Sequence, residues 1–70
     1  MAATFAEELV EMHDQGFSVP SVQVSLERHL ALLGSEDPLE ERCRLATAFA
    51  ARRSGTYLAD DILKVLREGT

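Results

Sequence analysis

Glycine and proline divide this chain into four apolar segments of helical period, and that spacing is its strongest constraint on the fold. All four glycines stand where a 3.6-residue apolar pattern stops: Gly16, Gly34, Gly55 and Gly69. Glycine readily adopts the left-handed conformation that follows many helices. Pro20 and Pro38 stand where a pattern starts, which suits the first position of a helix because its N–H has no helical partner. The spacing therefore predicts four short helices.

Capping signals locate the helix starts. In "TFAE", Thr4 is the predicted N-cap and Glu7 the residue that reaches back to it. In "DPLE", Asp37 is the predicted N-cap. The residue before a proline avoids the helical region, so Val19 is predicted to lie outside a helix that begins at Pro20. The predicted helices cover residues 4–14, 20–33, 38–53 and 57–68.

Each segment carries an apolar stripe that predicts one shared core. The stripes are Phe5, Leu9 and Met12; Val22, Leu26, Leu30 and Leu33; Leu39, Cys43, Ala46 and Ala50, with Leu45 and Phe49 beside them; and Leu58, Ile62, Val65 and Leu66. No segment sustains the period-2 alternation of a strand. We therefore expect residues 1–70 to form one all-α domain, a compact irregular four-helix bundle of short helices. Cys43 is expected to pack in its core as a small apolar side chain.

The charge of the chain argues against several classes of partner. Its 70 residues carry a formal net charge of -5, and its pI is near 4.8, so DNA, RNA and anionic membranes are disfavoured. No Lys or Arg precedes Arg28, whereas four arginines lie within residues 42–53. We expect a negative first helix and a positive patch on the third. The longest apolar run, residues 30–33, is far too short to span a membrane.

Catalytic and metal-binding signatures are missing from the sequence. Cys43, His13 and His29 could supply a nucleophile and a base, but Cys43 lies on a predicted core stripe. The histidines fall on different helices without HxxxH or CxxC spacing, and His13 suits the negative pole of a helix end. We therefore expect no enzymatic activity, no cofactor and no metal. The lone cysteine and the absence of a secretory signal favour an intracellular location.

The pair Arg52–Arg53 in "FAARRSG" is the only pair of adjacent basic residues. Both are predicted to lie in the last turn of the third helix, closed by Gly55, where cations complement the dipole and bond the final carbonyls. A helix-turn-helix that reads DNA is an alternative, but Glu40 and Glu41 interrupt the basic stripe that it needs. The same arginines remain candidates for contact with an acidic partner segment.

Other residues suggest contact with a protein. "EELVE" gives the first helix an acidic outer face, and Phe17 with Val19 either caps the bundle or anchors a partner. Tyr57 is interpreted as covering the bundle end with its hydroxyl at the surface, or as touching a partner. The predicted protein-interaction residues are Glu7, Glu8, Glu11, Phe17, Val19, Arg52, Arg53 and Tyr57.

Two stretches, "AEELVEMHDQGFSV" and "LATAFAARRSGTYLADDIL", resemble the N-terminal helical domain of the DNA polymerase alpha B subunit, a non-catalytic accessory subunit. The likeness extends from about Ala6 to Leu66. It rests on an acidic helix ending in a "GF" loop, a Leu-rich second helix, Leu45 and Phe49 in the third helix, and "DDIL" in the last. The resemblance implies that this chain is that domain alone, a docking module that recruits replication partners in the nucleus.

Two functions follow from these observations. The first is a non-catalytic acidic helical module that binds another protein, with a docking role in a replication polymerase as its more specific form. The alternative is a free-standing small regulator, antitoxin-like or an inhibitor, which sequesters a basic enzyme or nucleic-acid-binding protein by mimicking its polyanionic ligand. Neither direct nucleic-acid nor membrane binding is expected. An exposed Leu-rich stripe would favour a homodimer.

Overall fold

Four α-helices account for most of the described chain. The computed structural model describes residues 4–34 and 36–69, so positions 1–3, 35 and 70 of the predicted domain lie outside it. The helices are α1 (Phe5–Asp14), α2 (Val19–Leu33), α3 (Pro38–Arg52) and α4 (Tyr57–Glu68), and no strand occurs among the described residues. The all-α four-helix prediction is confirmed, and each helix boundary lies within one residue of its predicted position.

The same kind of cap starts all four helices. A side-chain oxygen of the N-cap accepts a hydrogen bond from the backbone N–H three residues later, at 3.1–3.4 Å; the N-caps are Thr4, Ser18, Asp37 and Thr56. These bonds satisfy N–H groups that have no partner within the helix. Because Ser18 supplies a cap, α2 starts at Val19 and Pro20 takes its second position, where an N–H is also dispensable. The prediction that Val19 lies outside the helix was wrong.

The end of α1 positions a side chain that the candidate site uses. Gly16 is left-handed, with φ of 76°, and its N–H donates to the carbonyl of His13 at 3.0 Å. The next N–H, from Phe17, donates to the carbonyl of Met12 at 2.9 Å. This pair of bonds is a Schellman motif. It fixes the backbone of Phe17 at the end of α1.

The end of α3 departs from the predicted glycine closure. The helix stops at Arg52, and its C-cap Arg53 is extended, with φ of -139°. Gly55 lies two residues beyond that cap and belongs to the turn that leads into α4. The left-handed glycine therefore turns the chain after the helix has ended, rather than capping it.

The core is built around α3 and α4. α1 packs mainly on α3 and α2 mainly on α4, and α1 and α2 have the least contact of these neighbouring pairs. The buried apolar residues are Ala6, Leu9, Val22, Leu26, Leu45, Ala46, Phe49, Ala59, Ile62, Leu63, Val65 and Leu66. Because α1 packs on α3 and α2 packs on α4, the two helices leave an open seam between them on the surface.

The buried face of α3 is rotated about the helix axis relative to the predicted stripe. α3 buries Leu45, Ala46 and Phe49, whereas Leu39 and Cys43 are exposed. At about 100° per residue, Cys43 lies about 110° around the helix from the centre of the buried face. The expectation that Cys43 packs in the core was therefore wrong. Leu33, expected on the stripe of α2, is also exposed.

Candidate functional site

The seam between α1 and α2 forms a surface groove of about 490 Å³. On α2 the groove is lined by Ser25, Arg28, His29 and Leu32, which follow the i, i+3, i+4, i+7 spacing of one helical face. That face differs from the one that buries Val22 and Leu26 in the core. α2 therefore has two distinct faces: one packs in the core of the bundle, and the other lines the groove.

Aromatic and aliphatic side chains give the groove its apolar character. Phe5 of α1 stacks on the imidazole of His29, with ring centroids 4.2 Å apart and planes only 3° from parallel. Met12 and Phe17 line the groove toward the α1–α2 loop, and Leu32 lines it on α2. Phe17 is 42% exposed and Leu32 is 81% exposed. The groove thus presents large apolar side chains to solvent.

An ion-pair network fixes His29 in the groove. Its Nε2 lies 2.9 Å from Oε2 of Glu41, and the Glu41 carboxylate also accepts two bonds from Arg44, at 2.7 and 2.8 Å. The hydrogen bonds from Arg44 are the main reason that the Glu41 pKa falls to about 2; burial opposes the shift and His29 adds to it. The Glu41 side chain is only 10% exposed, so it holds the His29 ring in a defined position.

The acidic face predicted on α1 is present and exposed. Glu7, Glu8 and Glu11 are all exposed. Glu8 and Glu11 line the groove, whereas Glu7 does not. Glu11 accepts a hydrogen bond from the Gln15 side chain at 3.0 Å, but none of the three carboxylates forms an ion pair with Lys or Arg within the described residues. One edge of the groove therefore carries uncompensated negative charge.

Arg53 is engaged inside the molecule. Its Nε and Nη2 donate to Oδ1 and Oδ2 of Asp14 at 2.8 and 2.6 Å, and its Nη1 donates to the carbonyl of Arg52 at 2.7 Å. Hydrogen bonds from Arg53, then from His13, hold the pKa of Asp14 well below its usual range. The prediction that an arginine here bonds a final carbonyl of α3 is confirmed for Arg53.

Two of the four arginines in the positive patch expected on α3 pair with carboxylates. Arg44 pairs with Glu41, Arg53 pairs with Asp14, and Nη1 of Arg42 donates to the carbonyl of Val65 at 3.2 Å. Among the described arginines of this segment, only Arg52 is exposed without such a bond. The positive patch expected on α3 is therefore weaker than its count of arginines suggests, because Arg44 and Arg53 have acidic partners.

The remaining predicted contact residues lie apart from one another. Val19 is half-buried against the core, so it does not form one surface with Phe17. Tyr57 is 93% exposed, and the interpretation that its ring covers the bundle end was wrong. His13 packs edge-on against Phe49, with centroids 5.9 Å apart. Of the eight predicted contact residues, the groove collects Glu8, Glu11 and Phe17.

Sequence reasoning missed the α2 half of the groove and also Phe5 on its α1 side. Phe5 and Leu32 were absent from the predicted contacts because the sequence does not show that α1 and α2 choose different packing partners. A local signal existed for Arg28, His29 and Leu32, which repeat at helical spacing beside the core stripe. The spacing of Glu41 and Arg44 likewise predicts an i, i+3 ion pair.

The site offers apolar surface and charged side chains. Within residues 4–34 and 36–69, no group of three or more His, Cys, Asp or Glu side chains could hold a metal ion. None of the helices described is both long and apolar enough to cross a membrane. Comparison of the chain with family models, curated proteins and solved structures finds no match.

Proposed function

We propose that this chain is a non-catalytic protein-interaction module whose acidic α1 face binds a basic segment of another protein. The observation that carries the proposal is the pairing state of the charges. Glu7, Glu8 and Glu11 are exposed without a basic partner among the described residues, while three of the four arginines of residues 42–53 are held by other groups. The charge that α1 offers to a partner is therefore negative.

Charge of this kind selects partners by attraction at a distance. A cluster of like charges beside a groove raises the local concentration of oppositely charged ligands and speeds their association. The formal net charge of -5 repels polyanions, so a basic protein segment fits this surface better than nucleic acid does. The apolar groove next to the carboxylates supplies contact area that salt does not screen.

The same face serves either form of the function. The resemblance to the polymerase alpha B subunit domain supports a docking role within a replication complex. In the alternative form, the chain is a regulator that sequesters a basic enzyme or a nucleic-acid-binding protein. It would use the same carboxylates to take the place of that protein's polyanionic ligand. Both forms require that α1 bind positively charged protein segments.

The test uses a defined probe, a fluorescein-labelled helical peptide of Leu, Ala and Lys, measured by anisotropy at low salt. A triple variant, Glu7→Lys with Glu8→Lys and Glu11→Lys, should bind it at least about tenfold more weakly, a loss of about 1.4 kcal/mol. The matched control reverses three exposed acids of α4: Asp60, Asp61 and Glu68. Both variants have the same net charge. Equal losses in the two, or no binding by the unmodified protein, would overturn the proposal.

A further inference from the structure

We propose that the groove between α1 and α2 docks an amphipathic helix of a partner protein, with the apolar face of that helix against the groove and its Lys or Arg flank along α1. This inference rests on the proposed function and specifies where and in what form the basic segment binds. Its grounds are the dimensions of the groove, the charge of its two edges and the ordering of its lining.

The spacing of the lining matches two turns of a helix. Phe5 and Met12 are seven residues apart on α1, and Ser25 and Leu32 are seven apart on α2, so the lining extends about 10 Å along each helix. A partner helix that spans this length places apolar residues at i, i+3 or i+4, and i+7 over the groove. Recognition of a helix in an apolar groove uses this set of anchors.

The two edges of the groove carry opposite charges. Glu8 and Glu11 lie on the α1 edge, and Arg28 lies on the α2 edge. A partner helix is therefore matched by Lys or Arg on its α1 side and tolerates Asp or Glu on its α2 side. Turning the helix end for end would exchange its two flanks, so these charges also favour one direction of binding for a given partner.

The lining is held in place before a partner arrives. His29 is fixed by its bond to Glu41 and by its stack on Phe5, and the backbone of Phe17 is fixed by the end of α1. Side chains that are already ordered lose less entropy on binding. Leu32, at 81% exposed against 42% for Phe17, is the lining side chain that a partner could cover most.

A second copy of this chain fits the groove less well than a basic helix. Two copies would bring two acidic molecules together, which net charge opposes. The second copy could offer Lys64 and Arg67 of α4 as its basic flank, but the apolar face of that helix is already buried in the core. The groove therefore calls for a helix whose apolar face is unoccupied and whose flank is positive.

The experiment compares two labelled peptides of about 15 residues, roughly 22 Å as helices. In the first, Leu repeats at i, i+3, i+4 and i+7 with Lys along one flank. The second has the same composition, with the Leu positions scrambled so that no stripe forms. We expect the unmodified protein to bind the first peptide at least about tenfold more tightly, because only a continuous stripe buries its leucines together. Amide chemical shifts should change around Phe17 and Leu32.

Matched variants locate the contact. Leu32→Ser and Phe17→Ser should each weaken binding of the striped peptide by about tenfold, whereas Leu39→Ser, at an exposed leucine outside the groove, should not. Glu8→Lys and Glu11→Lys should each weaken binding more than Glu7→Lys does, because all three change the charge equally and only Glu8 and Glu11 line the groove. Circular dichroism verifies that each variant remains helical, and the shift map of the unmodified protein gives a readout that requires no substitution.

The outcomes distinguish a failure of this inference alone from a failure of the proposed function. If both peptides bind equally and only the charge reversals matter, the acidic face binds basic segments without the groove, and the inference is overturned while the function stands. If neither peptide binds, both fall. If neither binds and sedimentation shows a dimer that Leu32→Ser dissociates, the groove is an interface between copies, which also overturns the inference.

Discussion

Asp14 and Arg53 form a two-point ion pair that joins the end of α1 to the end of α3. The bonds measure 2.8 and 2.6 Å and link positions 39 residues apart in the chain. Arg53 therefore acts as a tie between helices, while its neighbour Arg52 points to solvent without such a bond among the described residues. The adjacent arginines have different roles although the sequence presents them as a pair.

Replacing the tie should destabilise the fold, whereas replacing its neighbour should not. We expect Arg53→Gln to lower the urea midpoint of unfolding and Arg52→Gln to leave it nearly unchanged. Added salt should narrow the difference in urea midpoint between the two variants, because the Asp14–Arg53 pair is exposed to solvent and salt screens its attraction. A double-mutant cycle with Asp14→Asn measures the coupling. Independent effects at Asp14 and Arg53 would contradict the tie.

Two leucines of α2 should respond very differently to truncation. Leu26 is fully buried, whereas Leu32 is 81% exposed. We expect Leu26→Ala to lower the free energy of unfolding by about 2–5 kcal/mol, since it leaves a cavity, and Leu32→Ala to change it by about 0.5 kcal/mol or less. Chemical denaturation measures both. A large loss at Leu32 would mean that it supports the fold, and the groove would then not be free for a partner.

Cys43 should react readily in the folded protein. Because its side chain is exposed, a thiol reagent should modify it in native buffer at a rate within about tenfold of that in denaturant, with no opening of the core required. Cys43→Ser should leave the unfolding midpoint almost unchanged. Strong protection of the thiol in native buffer would return Cys43 to the core position that its sequence stripe predicted.

The helix boundaries could be predicted because their causes are local. Asp37 caps its own helix, and glycines reverse the chain where an apolar pattern ends, whatever the rest of the molecule does. The rotation of α3 could not be predicted in the same way. Whether Cys43 or Leu45 faces inward depends on how α1 and α4 pack around α3, and a small alanine or cysteine is compatible with either side.

The candidate site was only partly predictable for a related reason. The acidity of Glu8 and Glu11 is a property of the sequence, but their position at the edge of a groove depends on the separation of α1 and α2. Counting charged residues in the sequence overestimates the charge of a surface when their ion-pair partners are not known. Arg53 counts as positive in the sequence and is largely neutralised by Asp14 in the fold.

Stability should fall in acid through Glu41. Its pKa is about 2 in the folded protein against an ordinary 4.5, so between these values the unfolded chain binds more protons than the folded one. The contribution of Glu41 is therefore fully present above about pH 4.5 and is lost as the pH falls toward 2. Asp14, whose pKa is also lowered, adds to the loss in the same direction.

The Glu41→Gln variant isolates this contribution. It should be less stable than the unmodified protein near neutral pH, by about 1–3 kcal/mol, because the mostly buried Glu41 side chain loses its charge-assisted hydrogen bonds. The difference should shrink as the pH falls from about 4.5 to 2. Glu40→Gln, at an exposed neighbour on the same helix, is the control and should keep the full acid dependence. Parallel pH curves for the protein and Glu41→Gln would rule out this role.

Gly34 should be a glycine at which the sign of φ alone decides stability. It ends α2 with φ of 63° and donates its N–H to the carbonyl of Leu30 at 3.2 Å, and a Cβ placed there would meet nothing within 4 Å. Any cost of a side chain is therefore conformational. We expect Gly34→Ala to lower the free energy of unfolding by about 1–2 kcal/mol, and Gly34→Asn to lower it less, because asparagine tolerates the left-handed region.

A synthetic chain with D-alanine at this position carries the same methyl group but favours positive φ, so it should be at least as stable as the glycine protein. Urea unfolding of the three variants gives the comparison. If L-alanine and D-alanine destabilised equally, the methyl group rather than the backbone angle would be responsible, and the assignment of Gly34 as a left-handed cap would be wrong.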